Sequence, residues 1–203
     1  MSRYGFEDDE LDEDAEDAKR EEGSTDDVAA VIATGGIGVF PTDTLYGLIG
    51  SAFLPDTIDR IYELKRRDLR KPLIVLISDL SQLEQFGIEL SEGLILQLQN
   101  YWPGPYSIIL PSMDDQFEYL SRGTDTIAFR LPGKPELIDL INQVGPLVAP
   151  SANVEGLPPA TTVEEAQRYF GSDIEFYVDG GELNAKPSTI LRFDGDGAEI
   201  IRA

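Results

Sequence analysis

Ile37-Gly38-Val39-Phe40-Pro41-Thr42-Asp43-Thr44 is a short apolar run that breaks into a proline and three hydrogen-bonding side chains. Four β-prone residues are too few for a buried helix, so the run reads as a buried strand delivered into a polar loop. On its amino side, Asp27 to Thr34 reads as a helix, capped by Asp26 or Asp27 and ended by Gly35-Gly36. On its carboxyl side, the pattern predicts a helix from about Pro55 to Arg67 and a strand from Leu73 to Ile77. Helices near 79–86 and 91–100, strands Ser107–Leu110 and Thr126–Arg130, a helix from about Pro135 to Gln143 and strand Leu147–Ala149 follow. Helix Thr162–Tyr169 and strand pieces near 175–178, 188–193 and 198–202 complete the chain. Mixed helices and strands without a repeat period predict an α/β or α+β single domain.

Composition limits the chemistry. With 203 residues and 41% hydrophobic content, the chain can bury one substantial core. It has no cysteine, which removes disulfides, thiolate chemistry and cysteine-ligated metals. It has no histidine, so the usual neutral-pH base and the commonest zinc ligand are missing too. Carboxylates, hydroxyls, cations and bound ions must do the work. No apolar stretch approaches the ~20 residues that span a bilayer, and the acidic amino terminus is unlike a signal peptide, so a soluble cytoplasmic protein is expected.

The net charge is −22, and residues 1–27 carry thirteen acids against Arg3, Lys19 and Arg20. So dense a like charge with few apolar residues predicts a disordered acidic tail over 1–26, ahead of a folded domain over 27–203. A solubilising arm is its simplest role, with a partner-binding or autoinhibitory segment as the alternative. The body is acidic as well, which would suit high salt.

Two further loops carry chemistry-bearing groups. Pro150-Ser151-Ala152-Asn153 follows an apolar strand, and Lys65-Arg66-Arg67 closes an amphipathic helix. Each has a plain structural reading: Ser-Ala-Asn as a turn, and the cations as complements to a helix carboxyl end. Loops after strands are also where nucleotide sites are built. The spacing of Lys65 and Arg67 does not put both on one helical face, so for both cations to converge on one site at least Arg67 must lie past the helix end.

These elements occur in one order with Pro41-Thr42-Asp43-Thr44-Leu45-Tyr46-Gly47-Leu48, Lys71-Pro72-Leu73, Trp102-Pro103-Gly104-Pro105, Thr126-Ile127-Ala128-Phe129-Arg130-Leu131-Pro132 and Pro187-Ser188-Thr189-Ile190. The ordered set resembles the YrdC-like family of threonylcarbamoyl-AMP synthases, in its short single-domain form, over roughly residues 27–193. The resemblance implies a twisted mixed sheet with flanking helices and a concave, positively lined substrate cleft. It implies an L-threonylcarbamoyladenylate synthase, a nucleotidyltransferase that forms threonylcarbamoyl-AMP and pyrophosphate from L-threonine, bicarbonate and ATP. Magnesium would arrive with the ATP rather than in a dedicated metal site. The product would serve threonylcarbamoyl-adenosine formation in tRNA through a downstream transferase.

By resemblance, Lys65, Arg67, Ser151 and Asn153 are catalytic and bind ATP, with Lys71 and Thr126 as further nucleotide contacts. Thr44, Tyr46, Arg130 and Ser188 fall where the family binds threonine. Asp43 reads as an Asx turn ahead of a ligand for the substrate amine. Trp102-Pro103-Gly104-Pro105 reads as core packing, and Asp179-Gly180-Gly181 as a tight turn. The chain departs from the family where Asp68 replaces a proline and where Leu76 and the segment after Pro132 lack histidine, which bears most on the threonine side. The alternatives are a paralogue without this activity and an RNA-binding module, the second disfavoured because phosphate-backbone binding suits a chain at −22 poorly.

Overall fold

The computed structural model describes residues 25–194 and 197–203. The expected tail therefore lies outside the described residues, apart from Thr25 and Asp26, which open the first helix.

Among the described residues, nine strands form one sheet: β1 Gly38–Pro41, β2 Tyr46–Ser51, β3 Ile74–Leu76, β4 Tyr106–Pro111, β5 Thr126–Arg130, β6 Leu147–Val148, β7 Phe176–Tyr177, β8 Thr189–Asp194 and β9 Gly197–Arg202. Their order across the sheet is β7-β1-β2-β6-β3-β5-β4-β8-β9. The β7–β1, β3–β5 and β4–β8 pairs are parallel, and the other five are antiparallel. The helices are α1 Thr25–Ala33, α2 Pro55–Lys65, α3 Glu92–Leu98, α4 Glu118–Ser121, α5 Pro135–Val144 and α6 Val163–Phe170, with 3₁₀ turns at Leu80–Phe86 and Asp115–Phe117.

The period-two alternation of the strands divides the core. Val39, Leu48, Val75, Ile127, Phe129 and Val148 face one side, where they pack with Ile58 and Ile61 of α2 and with Ala166 and Phe170 of α6. Phe40, Ile49, Leu76 and Leu147 face the other side, where they meet Val28 and Ile32 of α1 and Leu137, Leu140 and Ile141 of α5. These two helices cover only part of their face. On the part they leave open, Ile74, Leu76, Ala128 and Arg130 line a cleft.

The local sequence accounts for the turn that carries Arg67. Pro55 occupies the first turn of α2, where its missing N–H costs nothing. The helix ends at Lys65 because Arg66 turns left-handed at φ 50, with its N–H on Glu63 O and the Arg67 N–H on Tyr62 O at 3.0 Å. Arg67 is thereby thrown clear of the helix, as the spacing predicted. The helix expected at 79–86 forms as a 3₁₀ turn, with the Asp79 carboxylate accepting the Ser81 N–H at 2.8 Å. Trp102 is buried and donates its Nε1 proton to Tyr106 O at 2.7 Å, in keeping with a packing role.

One strand is absent from the sequence-based reading. β2 runs Tyr-Gly-Leu-Ile-Gly-Ser, and its two glycines interrupt the apolar pattern. Gly50 is there for packing: a Cβ at that position would stand 2.6 Å from Thr57 Cγ2 of α2.

Candidate active site

The cleft has a volume of about 280 Å³. Among the described residues its lining includes three arginines, Arg67, Arg130 and Arg202, and no carboxylate. In a chain of net charge −22 this is a marked local reversal of sign, and it makes the cleft an anion site.

Strand β5 sets the length scale. Thr126, Ala128 and Arg130 all reach the cleft from one face of the strand, so Thr126 and Arg130 stand about 13 Å apart at ~3.3 Å per residue. The expected nucleotide hydroxyl and the expected carboxylate-binding cation thus mark two ends of one groove.

At the Arg130 end, Arg130 is 5% exposed. It forms an ion pair with Asp43, donates through Nη1 to Thr44 Oγ1 at 3.1 Å, and keeps a buried Nε without a partner. Burial pulls its pKa below the ordinary arginine value, and Asp43 opposes the shift. The second Asp43 oxygen accepts the Gly133 N–H at 3.0 Å. Asp43 is therefore not an Asx turn; its carboxylate spans to residues far along the chain. The loop is organised instead by Thr42, whose hydroxyl accepts the Thr44 N–H at 3.1 Å and donates to Leu45 O at 2.7 Å. Ser188 also lines this end, and its hydroxyl shares a hydrogen bond of 2.9 Å with the buried Ser107.

Tyr46 meets the cleft with its ring alone. Its ring contributes to the lining, but its hydroxyl donates to Gly181 O at 2.7 Å and accepts the Gly180 N–H at 2.8 Å. The phenol ties the 179–181 turn to β2 and offers the substrate no polar group. Gly180 permits the close approach, because a Cβ there would lie 2.4 Å from Pro41 Cβ.

At the other end, Lys65 is not at the cleft wall. It is 2% exposed, and its ammonium donates to Ser151 O, to Asn153 O at 2.7 Å and to Asn153 Oδ1 at 3.3 Å. Burial, reinforced by Arg67, lowers its pKa to about 7. With three contacts on that loop, Lys65 builds the Ser151–Asn153 turn. Asn153 is equally occupied: its amide nitrogen donates to Val154 O at 3.0 Å and Leu157 O at 2.7 Å, and its oxygen accepts the Ser151 hydroxyl at 2.6 Å. Of the two loop residues only Ser151 lines the cleft.

Arg67 does line it, braced by Nε on Lys71 O and Nη2 on Pro72 O, each at 3.1 Å. Lys71 is not brought into the cleft. Its backbone carbonyl braces Arg67 while its ammonium pairs with Glu155. Asp68, the carboxylate in place of a family proline, is taken up by Arg70 at 2.8 Å. Thr126 reaches the cleft as expected and shares a hydrogen bond of 3.0 Å with Thr124.

Arg202 is the main residue that sequence reading misses. It comes from the end of β9 and donates to Ser188 O at 2.9 Å, and burial, with a further contribution from the Arg67 charge, pulls its pKa below the ordinary arginine value. Nothing local distinguishes Ile200-Ile201-Arg202 from an ordinary strand end. Only the strand order, which lays β9 beside β8, carries it there.

A threonylcarbamoyl-AMP synthase of Pyrococcus abyssi is 36% identical over 155 residues, 76% of this chain and 46% of that protein. One of Bacillus subtilis is 36% identical over 177 residues, 86% of this chain and 51% of that protein. The chain thus spans about half the length of each of these curated relatives. The structure of P. abyssi Sua5 complexed with L-threonine superposes with a TM-score of 0.79 at 33% identity, covering 86% of this chain and 52% of that one. The Sua5/YciO/YrdC family model, described as telomere recombination, matches residues 30–203. With the mixed sheet and the arginine-lined cleft in the same region, the chain belongs to the Sua5/YciO/YrdC family.

Proposed function

We propose that this protein is an L-threonylcarbamoyladenylate synthase, forming threonylcarbamoyl-AMP and pyrophosphate from L-threonine, bicarbonate and ATP. The observation that carries the reading is the acid-free groove with arginines at both ends in an otherwise acidic chain. Relatives named threonylcarbamoyl-AMP synthase support it, as does the threonine complex of P. abyssi Sua5.

The threonine amine attacks bicarbonate, forming the carbamate C–N bond with loss of water. A carbamate oxygen then attacks the α-phosphorus of ATP, the bond to the β-phosphate oxygen breaks, and pyrophosphate leaves with the electron pair. Charge builds on phosphate oxygens, so the protein's task is positioning and electrostatic stabilisation, which need no histidine. Arg67 and Arg202 meet the phosphates, the Ser151 hydroxyl hydrogen-bonds the nucleotide, and Thr126 lies at the nucleotide end. Arg130 takes the threonine carboxylate, beside the hydroxyls of Thr44 and Ser188. Lys65 and Asn153 act through the Ser151 loop they hold in shape. The apolar floor of Ile74, Leu76, Ala128 and Ala149 excludes water from the carbamate and from the mixed anhydride.

Magnesium enters as MgATP. Among the described residues no group of three or more acidic side chains is placed to hold a metal ion. No helix among them is long and apolar enough to cross a membrane. The product is a reactive anhydride suited to a downstream tRNA threonylcarbamoyl transferase, in a cytoplasm that supplies ATP.

The test is pyrophosphate release from ATP by the purified protein with and without threonine and bicarbonate, at low and high salt. Release that needs both co-substrates is expected. No release at any salt, from a protein that is folded by circular dichroism, overturns the reading.

A further inference from the structure

The turn that carries Arg67 lacks a rigidifying proline, yet it is held at several points by one residue on the facing loop. Glu155 Oε2 accepts the Asp68 N–H at 2.8 Å, and Oε1 is ion-paired with Lys71. The Glu155 N–H donates to Lys65 O at 2.8 Å. Glu155 thus touches the turn at its beginning, middle and end, while standing two residues past Asn153, the residue on which Lys65 closes from the other direction. The result is a ring from Lys65 through Asn153 and Glu155 back to Asp68 and Lys71. Within it, Arg67 is braced on the Lys71 and Pro72 carbonyls, and the Tyr62 hydroxyl supports the Lys71 carbonyl at 2.9 Å.

We propose that Glu155 is a positioning residue that sets the separation of Arg67 from Ser151, two of the groups that meet the nucleotide. The proposal rests on the synthase reading for the identity of that nucleotide. The carboxylate does its work through the Asp68 amide more than through Lys71. The Lys71 side chain is 56% exposed, and an ion pair so open to water holds little, whereas a charged acceptor on a backbone N–H fixes the chain itself. The site also tolerates this carboxylate close to the phosphates because both of its oxygens are engaged, one on an amide and one on a cation. The Lys71 ammonium, and after it the Asp68 N–H, holds its pKa below the ordinary glutamate value. The neighbouring Asp68 carboxylate is likewise turned outward onto Arg70. The turn therefore gains rigidity from a glutamate without presenting a free negative charge to the groove, whose lining contains neither acid.

The test compares Glu155→Ala with Glu155→Gln, because glutamine keeps an oxygen for the Asp68 amide and gives up the charge. Three quantities are measured on the full chain: the ATP dissociation constant by calorimetry, hydrogen exchange across residues 66–72, and the steady-state constants for ATP and threonine. For Glu155→Ala, weaker ATP binding by about tenfold, faster exchange in the turn, and a threonine KM within about twofold of wild type are expected. Glu155→Gln is expected to retain ATP binding within about threefold. Unchanged ATP affinity and exchange in Glu155→Ala overturns the proposal. So does an equal loss in both variants accompanied by a raised threonine KM, since that pattern marks general structural damage. If the wild type binds ATP but releases no pyrophosphate, the synthase reading falls while binding and exchange still decide the role of Glu155. If it binds no ATP, there is no nucleotide end to position and both fall.

Discussion

Arg130 and Asp43 form an ion pair beneath the surface of the cleft, with side chains 6% and 16% exposed. Removing one partner of such a pair leaves an uncompensated charge in a poorly solvated place, which costs about 3–5 kcal/mol. Asp43→Ala is therefore expected to lower unfolding stability by about 3 kcal/mol, read from urea midpoints. Arg130→Gln is expected to raise the threonine KM at least about tenfold while the ATP KM stays within about twofold. Equal changes in both constants would remove Arg130 from the threonine end.

Lys65 gives a pH signature whose sign follows from linkage. Burial lowers its pKa from 10.5 to about 7, so between those values the unfolded chain binds a proton that the folded chain has released. Stability from this group rises with pH across that window, by up to about 1.4 kcal/mol per unit, and is flat below it. The stability difference between wild type and Lys65→Met is expected to shift in favour of wild type as pH is raised from about 7 to 9, measured by urea unfolding. A bound triphosphate draws the proton back, so ATP binding above neutral pH is expected to take up protons. Calorimetry in buffers of different ionisation enthalpy reads that uptake, and its persistence in Lys65→Met would assign it elsewhere.

Burial, and after it the Arg67 charge, lowers the Arg202 pKa, and both arginines line the cleft. Arg202→Ala is expected to weaken ATP binding by about tenfold or more at low salt, with the loss shrinking as ionic strength rises. Thermal stability should be unchanged or slightly higher, because a like-charge contact is relieved. An Arg202→Ala variant with wild-type ATP affinity at low salt would leave Arg67 alone on the phosphates.

What was legible in the sequence was whatever depends on neighbours along the chain. The strand into Pro41-Thr42-Asp43-Thr44, the helix that begins at Pro55 and closes on the Lys65-Arg66-Arg67 cations, and the i, i+4 pair Thr126 and Arg130 follow from period, and the structure keeps them. What was not legible depends on pairing across the sheet. The resemblance makes phosphate ligands of Lys65 and Asn153, yet the Lys65 ammonium is spent on the Ser151–Asn153 loop and the Asn153 amide nitrogen on carbonyls of its own loop. Arg202 enters the cleft solely because β9 returns antiparallel to β8. Glu155 carries no local sign of its role, since the amide it binds belongs to a residue 87 positions earlier.

Gly50 shows how such tertiary demands can be tested far from the chemistry. The helix α2 approaches β2 so closely that a Cβ at Gly50 would meet Thr57 Cγ2 at 2.6 Å and Ile61 Cδ1 at 3.3 Å. Both contacts come from a buried helix face, so relief requires α2 to move off the sheet instead of one side chain swinging aside. Overpacking of this kind costs about 1–3 kcal/mol. The same helix delivers Lys65 at its last residue, and Lys65 holds the Ser151–Asn153 loop, so a displacement of α2 is carried to the proposed nucleotide end. Gly50→Ala is expected to lower stability by about 2 kcal/mol and to weaken ATP binding more than threonine binding. Thr57→Ser, which removes the methyl group that a new Cβ would strike, is expected to restore part of both losses in the double variant. Additive effects of the two substitutions would place the strain somewhere other than this helix contact.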